Sequence, residues 1–411
     1  MLGRLPRFAR AALAAAMLPF ALGFSVPAKA AEPLRILAMD VFSGPFKDIG
    51  DRYLLGIKFA VEEINAKGGI NGRKIELFIE DTQLKPDIAQ RRAVSQILDN
   101  KVQVIIGASG SHVVKALGQV AEKHKVILTL YAGEGDYITG SEFTPAVFRA
   151  GLSTSMHSKA TVSGFVDKGY KRFYLLNQDY AFGREVAKTY KKYLDKLIPG
   201  WELAGEEYHP LATRDFAPYI QRIAASKADV VLTGNWGTDM TSLLAQARQF
   251  ELKAKFGHYY LSDPLALREI GEAGIGSVTS ENYMMVVDTP QNKAFIERWH
   301  KANKDGDHPW PAFTIGKAYN AMMFLAAAIE KAGTADYESL MKAWEGLEFQ
   351  GLVGKQVMRA CDHQMQTPIP VAEIVKDNTY YSHPFTGPAK LLSIEETSVP
   401  MEEVENPRCK K

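Results

Sequence analysis

Val102-Gln103-Val104-Ile105-Ile106-Gly107-Ala108-Ser109-Gly110-Ser111 is an apolar strand running into a turn of small residues. The next stretch, 112–124, carries helical periodicity, and Val126–Leu130 returns to an apolar run. A short apolar run, a turn, an amphipathic stretch and a second apolar run together predict two parallel strands joined by a covering helix.

The same alternation extends in both directions. Upstream, Leu34–Met39 reads as a buried strand, and Tyr53–Lys67 as a helix with Leu55, Phe59 and Ile64 on one face. Gly68-Gly69-Ile70-Asn71-Gly72 stops that helix and turns the chain. Ile75–Ile79 then alternates as a strand, and Asp87–Leu98 follows as a helix. Downstream the pattern restarts. Phe148-Arg149 leads into a helix near 155–168, Arg172–Leu176 is a strand, and a helix follows near 183–196. A strand near 201–207, a helix near 216–225, the strand Val230–Leu232, a helix over 238–250 and the strand Phe256–Leu261 complete a second run. The fold class is therefore α/β, with two lobes of similar pattern, each a mostly parallel sheet flanked by helices. From about 290 the chain is helical again, including the apolar segment Tyr319–Lys331, and Pro- and Gly-containing strands near 355–375 precede an acidic tail. These later pieces are expected to pack back onto one lobe and then the other.

The first thirty residues speak to compartment. Arg4, Arg7 and Arg10 precede an apolar stretch from Ala11 to Leu22, interrupted by Pro19, and then Ala28-Lys29-Ala30. A basic start, a short apolar run and small residues at the end mark a secretory signal, cleaved here before Ala31. The alternative, a membrane anchor, needs about 20 apolar residues, more than this run supplies. Removing four positive charges (Arg4, Arg7, Arg10, Lys29) and no acid takes the net charge from +2 to −2. Such a balance gives no electrostatic reason to expect nucleic acid. Cys361 and Cys409 are the only cysteines. An isolated pair in an oxidising compartment reads as a disulfide holding the C-terminal tail, since redox chemistry would want C-x-x-C spacing.

Taken together, Ser43-Gly44-Pro45, Gly50, Gly56, Ile64–Gly72, Glu80-Asp81-Thr82, Ile106–Ser111, Phe148-Arg149, Asp179–Gly183 and Tyr319–Gly333 resemble, in order and spacing, the leucine/isoleucine/valine-binding proteins. These are type I periplasmic solute-binding proteins of ABC importers. The resemblance implies two lobes joined by three crossings, with a solute in the cleft between them and closure by a hinge. The expected division is 31–150 plus 288–350 for the N-terminal lobe and 151–287 plus 351–395 for the C-terminal lobe, with 396–411 as a tail. Met358–Gln364 and the terminal Cys409 are also similar to a subgroup that binds aromatic acids.

Candidate site residues follow from strand ends, where open α/β sheets bind ligands. Ser109, Gly110 and Ser111 lie between a strand and a helix start, where backbone N–H groups and hydroxyls suit a carboxylate. An ordinary serine cap reads equally well from the residues alone, and the resemblance assigns Ser111 to a carboxylate. Ala132, Gly133 and Glu134 form the next loop, with Glu134 standing where the family usually has threonine. Beside a bound carboxylate, Glu134 must either point away or receive a cationic or hydroxyl group of the ligand. Tyr180, Phe182 and Trp236 lie just past strands of the second run, where rings could close over a guest. Tyr260 stands near the family's ammonium-binding acid, and Asp263 is either a substitute for that acid or a surface cap before Pro264.

Gly107–Ser111 lacks the closing glycine of a nucleophile elbow, Gly133-x-Gly135 fails the dinucleotide fingerprint, and no phosphate loop or paired-histidine motif occurs. Asp305, Asp307 and His308 read as a solvated loop. The expectation is thus a monomeric, non-enzymatic receptor without cofactor or metal, capturing an amino acid or an aromatic or related carboxylate. Its partners would be an inner-membrane permease with separate ATPase subunits. The alternative is a periplasmic sensor of the same fold.

Overall fold

The computed structural model describes Gly3 and residues 32–410. The leader and its cleavage before Ala31 lie outside the described residues. Five strands, β1 (Leu34–Asp40), β2 (Ile75–Asp81), β3 (Val104–Gly107), β4 (Ile127–Leu130) and β5 (Val147–Arg149), form an all-parallel sheet in the order β2-β1-β3-β4-β5. A second group, β6 (Arg172–Gln178), β7 (Glu202–His209), β8 (Val230–Thr233), β9 (Lys255–His258) and β10 (Val278–Ser280), repeats that order as β7-β6-β8-β9-β10, again all parallel. The fold is two-lobed α/β, and the two lobes share one strand order.

The rest of the strands are antiparallel additions. β11 (Glu348–Gly351), β12 (Gly354–Met358) and β13 (Met365–Gln366) form a small sheet. β14 (Ile369–Val375) joins the second sheet against β10, and β15 (Phe385–Thr386) and β16 (Lys390–Leu392) pair with β14.

Helices cover both sheets. Those following strands of the first lobe are α1 (Lys47–Ala66), α2 (Pro86–Asp99) and α3 (Ser111–His124). The second lobe carries α4 (Thr154–Ser163), α5 (Ala181–Leu197), α6 (Ala217–Ser226), α7 (Thr238–Gln249) and α8 (Pro264–Ile270). Later come α9 (Pro290–Asn303), α10 (Phe313–Ala332), α11 (Tyr337–Trp344) and α12 (Ile394–Thr397). No helix among the described residues is long and apolar enough to cross a membrane.

Three of the boundaries that differ from expectation have a clear local reason. α1 begins two turns earlier than Tyr53, because Phe46 at its N-cap offers no capping side chain to mark the start. Early-turn pairs, Lys47–Asp51 and Arg52–Asp48, hold that end. α4 stops at Ser163, short of 168, where the amide of Phe165 turns back to the carbonyl of Val162 and the ring becomes buried. β9 ends at His258, because the amide of Tyr260 donates to His258 Nδ1 at 2.9 Å and bends the chain there. That bend delivers Tyr260 to the space between the lobes.

Cys361 and Cys409 form the expected disulfide. It anchors a tail that touches both lobes. Asn406 donates to the Thr139 carbonyl at 3.0 Å, and Glu403 pairs with Lys192 at 2.8 Å and Lys196 at 2.7 Å on α5.

Candidate functional site

Every expected site residue sits just past the C-terminal end of a strand, and the two lobes bring all ten to one cavity. Ser109, Gly110 and Ser111 follow β3, and Ala132, Gly133 and Glu134 follow β4. Tyr180 and Phe182 follow β6, Trp236 follows β8, and Tyr260 follows β9. Ile49, Tyr53 and Phe313 complete the lining, around about 420 Å³ of space. The last three were not singled out in the sequence. Tyr53 and Phe313 carried no signal beyond an apolar helix face.

The first-lobe wall is built from polar turns on a rigid base. Buried Asp40, at the end of β1, accepts from the Ser109 amide at 3.1 Å and from the Tyr131 hydroxyl at 2.6 Å. Burial raises the Asp40 carboxyl, partly offset by these donors. Gly110 then turns the chain at φ +82°, where a β-carbon would come within 2.7 Å of Leu84. That turn starts α3 at Ser111, whose first amides have no acceptor within the helix. The next loop is pinned by Arg149, fully buried, which donates to the Gly135 carbonyl at 2.7 Å, the Gly133 carbonyl at 3.2 Å and Thr139 Oγ1 at 2.7 Å.

Rings make the second-lobe wall. Trp236 donates from Nε1 to the Tyr180 hydroxyl at 3.0 Å and packs on Phe46 of the opposite lobe, with centroids 4.4 Å apart. Tyr260 stacks on Phe313 at 5.7 Å. Phe182 is buried beside Tyr180.

Glu134 resolves differently from either expectation. Its Oε1 accepts from Lys317 Nζ at 2.7 Å, and its Oε2 accepts from the Tyr260 hydroxyl at 2.7 Å, with His157 Nε2 at 3.1 Å. Lys317 also reaches Glu281 at 3.0 Å, and all of these side chains are buried. Burial pushes the Glu134 carboxyl up, but His157 and Lys317 outweigh it and hold it below the ordinary range. Burial works against the Lys317 ammonium, yet Glu134 and Glu281 raise it above the usual lysine range. Glu134, His157 and Glu281 are close enough together to bracket a cation, and the ammonium of Lys317 takes that place. Lys317 lies two residues before the segment read as Tyr319–Lys331. Its only signal was a lysine inside an otherwise apolar helix.

Asp263 caps α8, accepting from the Leu265 amide at 2.9 Å. It is a cap, as one reading had it, but not a surface one. It is 1% exposed and pairs at 2.8 Å with Arg52 of the other lobe, itself 2% exposed. It stands outside the cavity lining. Asp305 and Asp307 are exposed in their loop.

A larger space, about 770 Å³, lies under the tail and is lined by charged groups including Asp136, Glu185, Lys192, Arg359 and Glu403. Burial, then Asp136, raises Glu185 there to about 8. The smaller cavity is the candidate site, because both sheets point their strand ends at it.

Comparison with known proteins agrees with this architecture. A family model described as "Periplasmic binding protein" matches residues 33–379. Leu/Ile/Val-binding protein homolog 4 of Brucella abortus is 28% identical over 394 residues, covering 89% of this chain and 92% of that protein. The closed-conformation structure of a leucine-, isoleucine-, valine-, threonine- and alanine-binding protein from Brucella ovis superposes with a TM-score of 0.80 at 26% identity, covering 90% and 97% of the two chains. A solute-binding protein from R. palustris, in complex with 4-hydroxybenzoate, shares the fold with a TM-score of 0.79 at 21% identity, covering 88% and 97%. The chain belongs to the periplasmic binding protein family, as a solute-binding protein of the Leu/Ile/Val type that works in the periplasm and is not an enzyme.

Proposed function

We propose that this protein is the receptor of an ABC importer, capturing a small organic carboxylate between its lobes and presenting it to a membrane permease with separate ATPase subunits. One observation carries the reading: two different walls, one of turn amides and hydroxyls and one of rings, meet at a single cavity. The α3 start with Ser109, Gly110 and Ser111 would take the carboxylate, and Tyr180, Phe182, Trp236 and Tyr260 would take an apolar or aromatic body. Both an amino acid and an aromatic acid fit that division. The relatives named for leucine, isoleucine and valine support the first class, and the density of rings supports the second.

The lobes would divide as 31–150 with 288–350 and 151–287 with 351–395, crossing three times, so that hinge motion opens the cleft. The chain would act as a monomer. A thermal-shift screen of refolded, ligand-stripped protein against amino acids, aromatic acids and short aliphatic acids tests the reading. A ligand at 100 times its Kd adds about 2.7 kcal/mol of stability. A shift confined to one class supports the proposal, and no shift across the panel counts against it.

A further inference from the structure

The cavity holds one carboxylate among its described lining residues, Glu134, and that carboxylate is already engaged at both oxygens. A guest ammonium buried in the cleft is costly unless an anion offsets its charge. The charge of this one anion is already offset by Lys317, with Tyr260 and His157 as further partners. Lys317 does not line the cavity; it reaches Glu134 from within α10, fully buried, and is shared with Glu281. Burying a lysine among acids contributes little net stability compared with an apolar residue, so its place beneath the cavity points to a role in what the cavity accepts.

We propose that Lys317 is a specificity-determining residue, cancelling the charge of Glu134 so that the cleft takes carboxylates lacking an α-ammonium group. The inference rests on the cleft being the solute site. Without the lysine, Glu134 would keep only the Tyr260 hydroxyl and His157 as partners and would face the guest with more of its charge uncompensated. It would repel a simple carboxylate and attract the ammonium of an amino acid. Lys317 acts through Glu134 and need not touch the solute.

The ligand pair 3-phenylpropanoate and L-phenylalanine differs only in the α-ammonium, so calorimetry with both isolates the effect. Wild-type protein is expected to favour phenylpropanoate by about tenfold or more, and Lys317→Met to lose about tenfold for it while gaining phenylalanine. The double variant Lys317→Met/Glu134→Thr should recover the acid. Thermal melts establish folding first. If Lys317→Met does not fold, Glu281→Gln carries the test. It leaves Lys317 to Glu134 alone and should keep the preference for the acid over phenylalanine at or above that of wild type. A tenfold loss of that preference overturns the proposal. So does an unmoved ligand ratio in folded Lys317→Met, or a wild-type preference for phenylalanine, both of which leave the solute-receptor reading standing. Binding of neither compound, together with no response in the thermal-shift panel, removes that reading and this inference with it.

Discussion

The two lobes share a strand order and differ in what they hold out from it. In the first, the loops after β3 and β4 present serines, backbone amides and a neutralised acid. In the second, the loops after β6, β8 and β9 present Tyr180, Trp236 and Tyr260. One scaffold, used twice, gives a polar hand and an aromatic hand. The difference teaches that strand order settles where a site lies, and loop chemistry settles what it grips.

That contrast can be broken at several points. The largest effect is expected where the lobes are tied together. Arg52→Met leaves Asp263 buried without its cation when the cleft is shut, a cost of about 3–5 kcal/mol. Ligand affinity measured by calorimetry should fall accordingly, while small-angle scattering with ligand present should show a more open particle. Next comes the aromatic hand. Trp236→Ala should cost ring-bearing ligands about 2–4 kcal/mol and aliphatic ones less; equal losses would erase the distinction between the hands. Ser111→Ala probes the polar hand, with an expected loss of about 1–3 kcal/mol for any carboxylate, and unchanged affinity would remove Ser111 from the contact.

The last effect is on stability and not on affinity, and concerns the space under the tail. Glu185 is raised in the folded protein to about 8 and is ordinary in the unfolded chain. The folded state therefore holds the extra proton between the ordinary carboxyl range and pH 8. Stability from this group is full at low pH and is lost as pH rises through that window. Melting temperature should decline from pH 5 to 8, and Glu185→Gln should flatten the decline.

Sequence periodicity reached the two α/β runs and the position of each site loop, since strand ends are local features. It could not reach Lys317 or Arg52. Their partners, Glu134 and Asp263, sit in other elements and in the opposite half of the chain, and only the fold brings them together. Glu134 was recognised as anomalous because a lone acid beside a carboxylate is a conflict visible in one loop. Its resolution came from a helix that periodicity had started too late.

Gly237, between β8 and α7, has φ +62°, and a β-carbon there would lie 2.4 Å from the Phe46 ring across the cleft. It is the point at which the jaws have no clearance left. A single methyl group, Gly237→Ala, would strain the turn beside Trp236 and act as a wedge in a closing door, biasing the receptor toward its ajar form. Such a wedged receptor would separate two events that are normally fused in import, taking hold of the cargo and signalling that it is ready to be handed over.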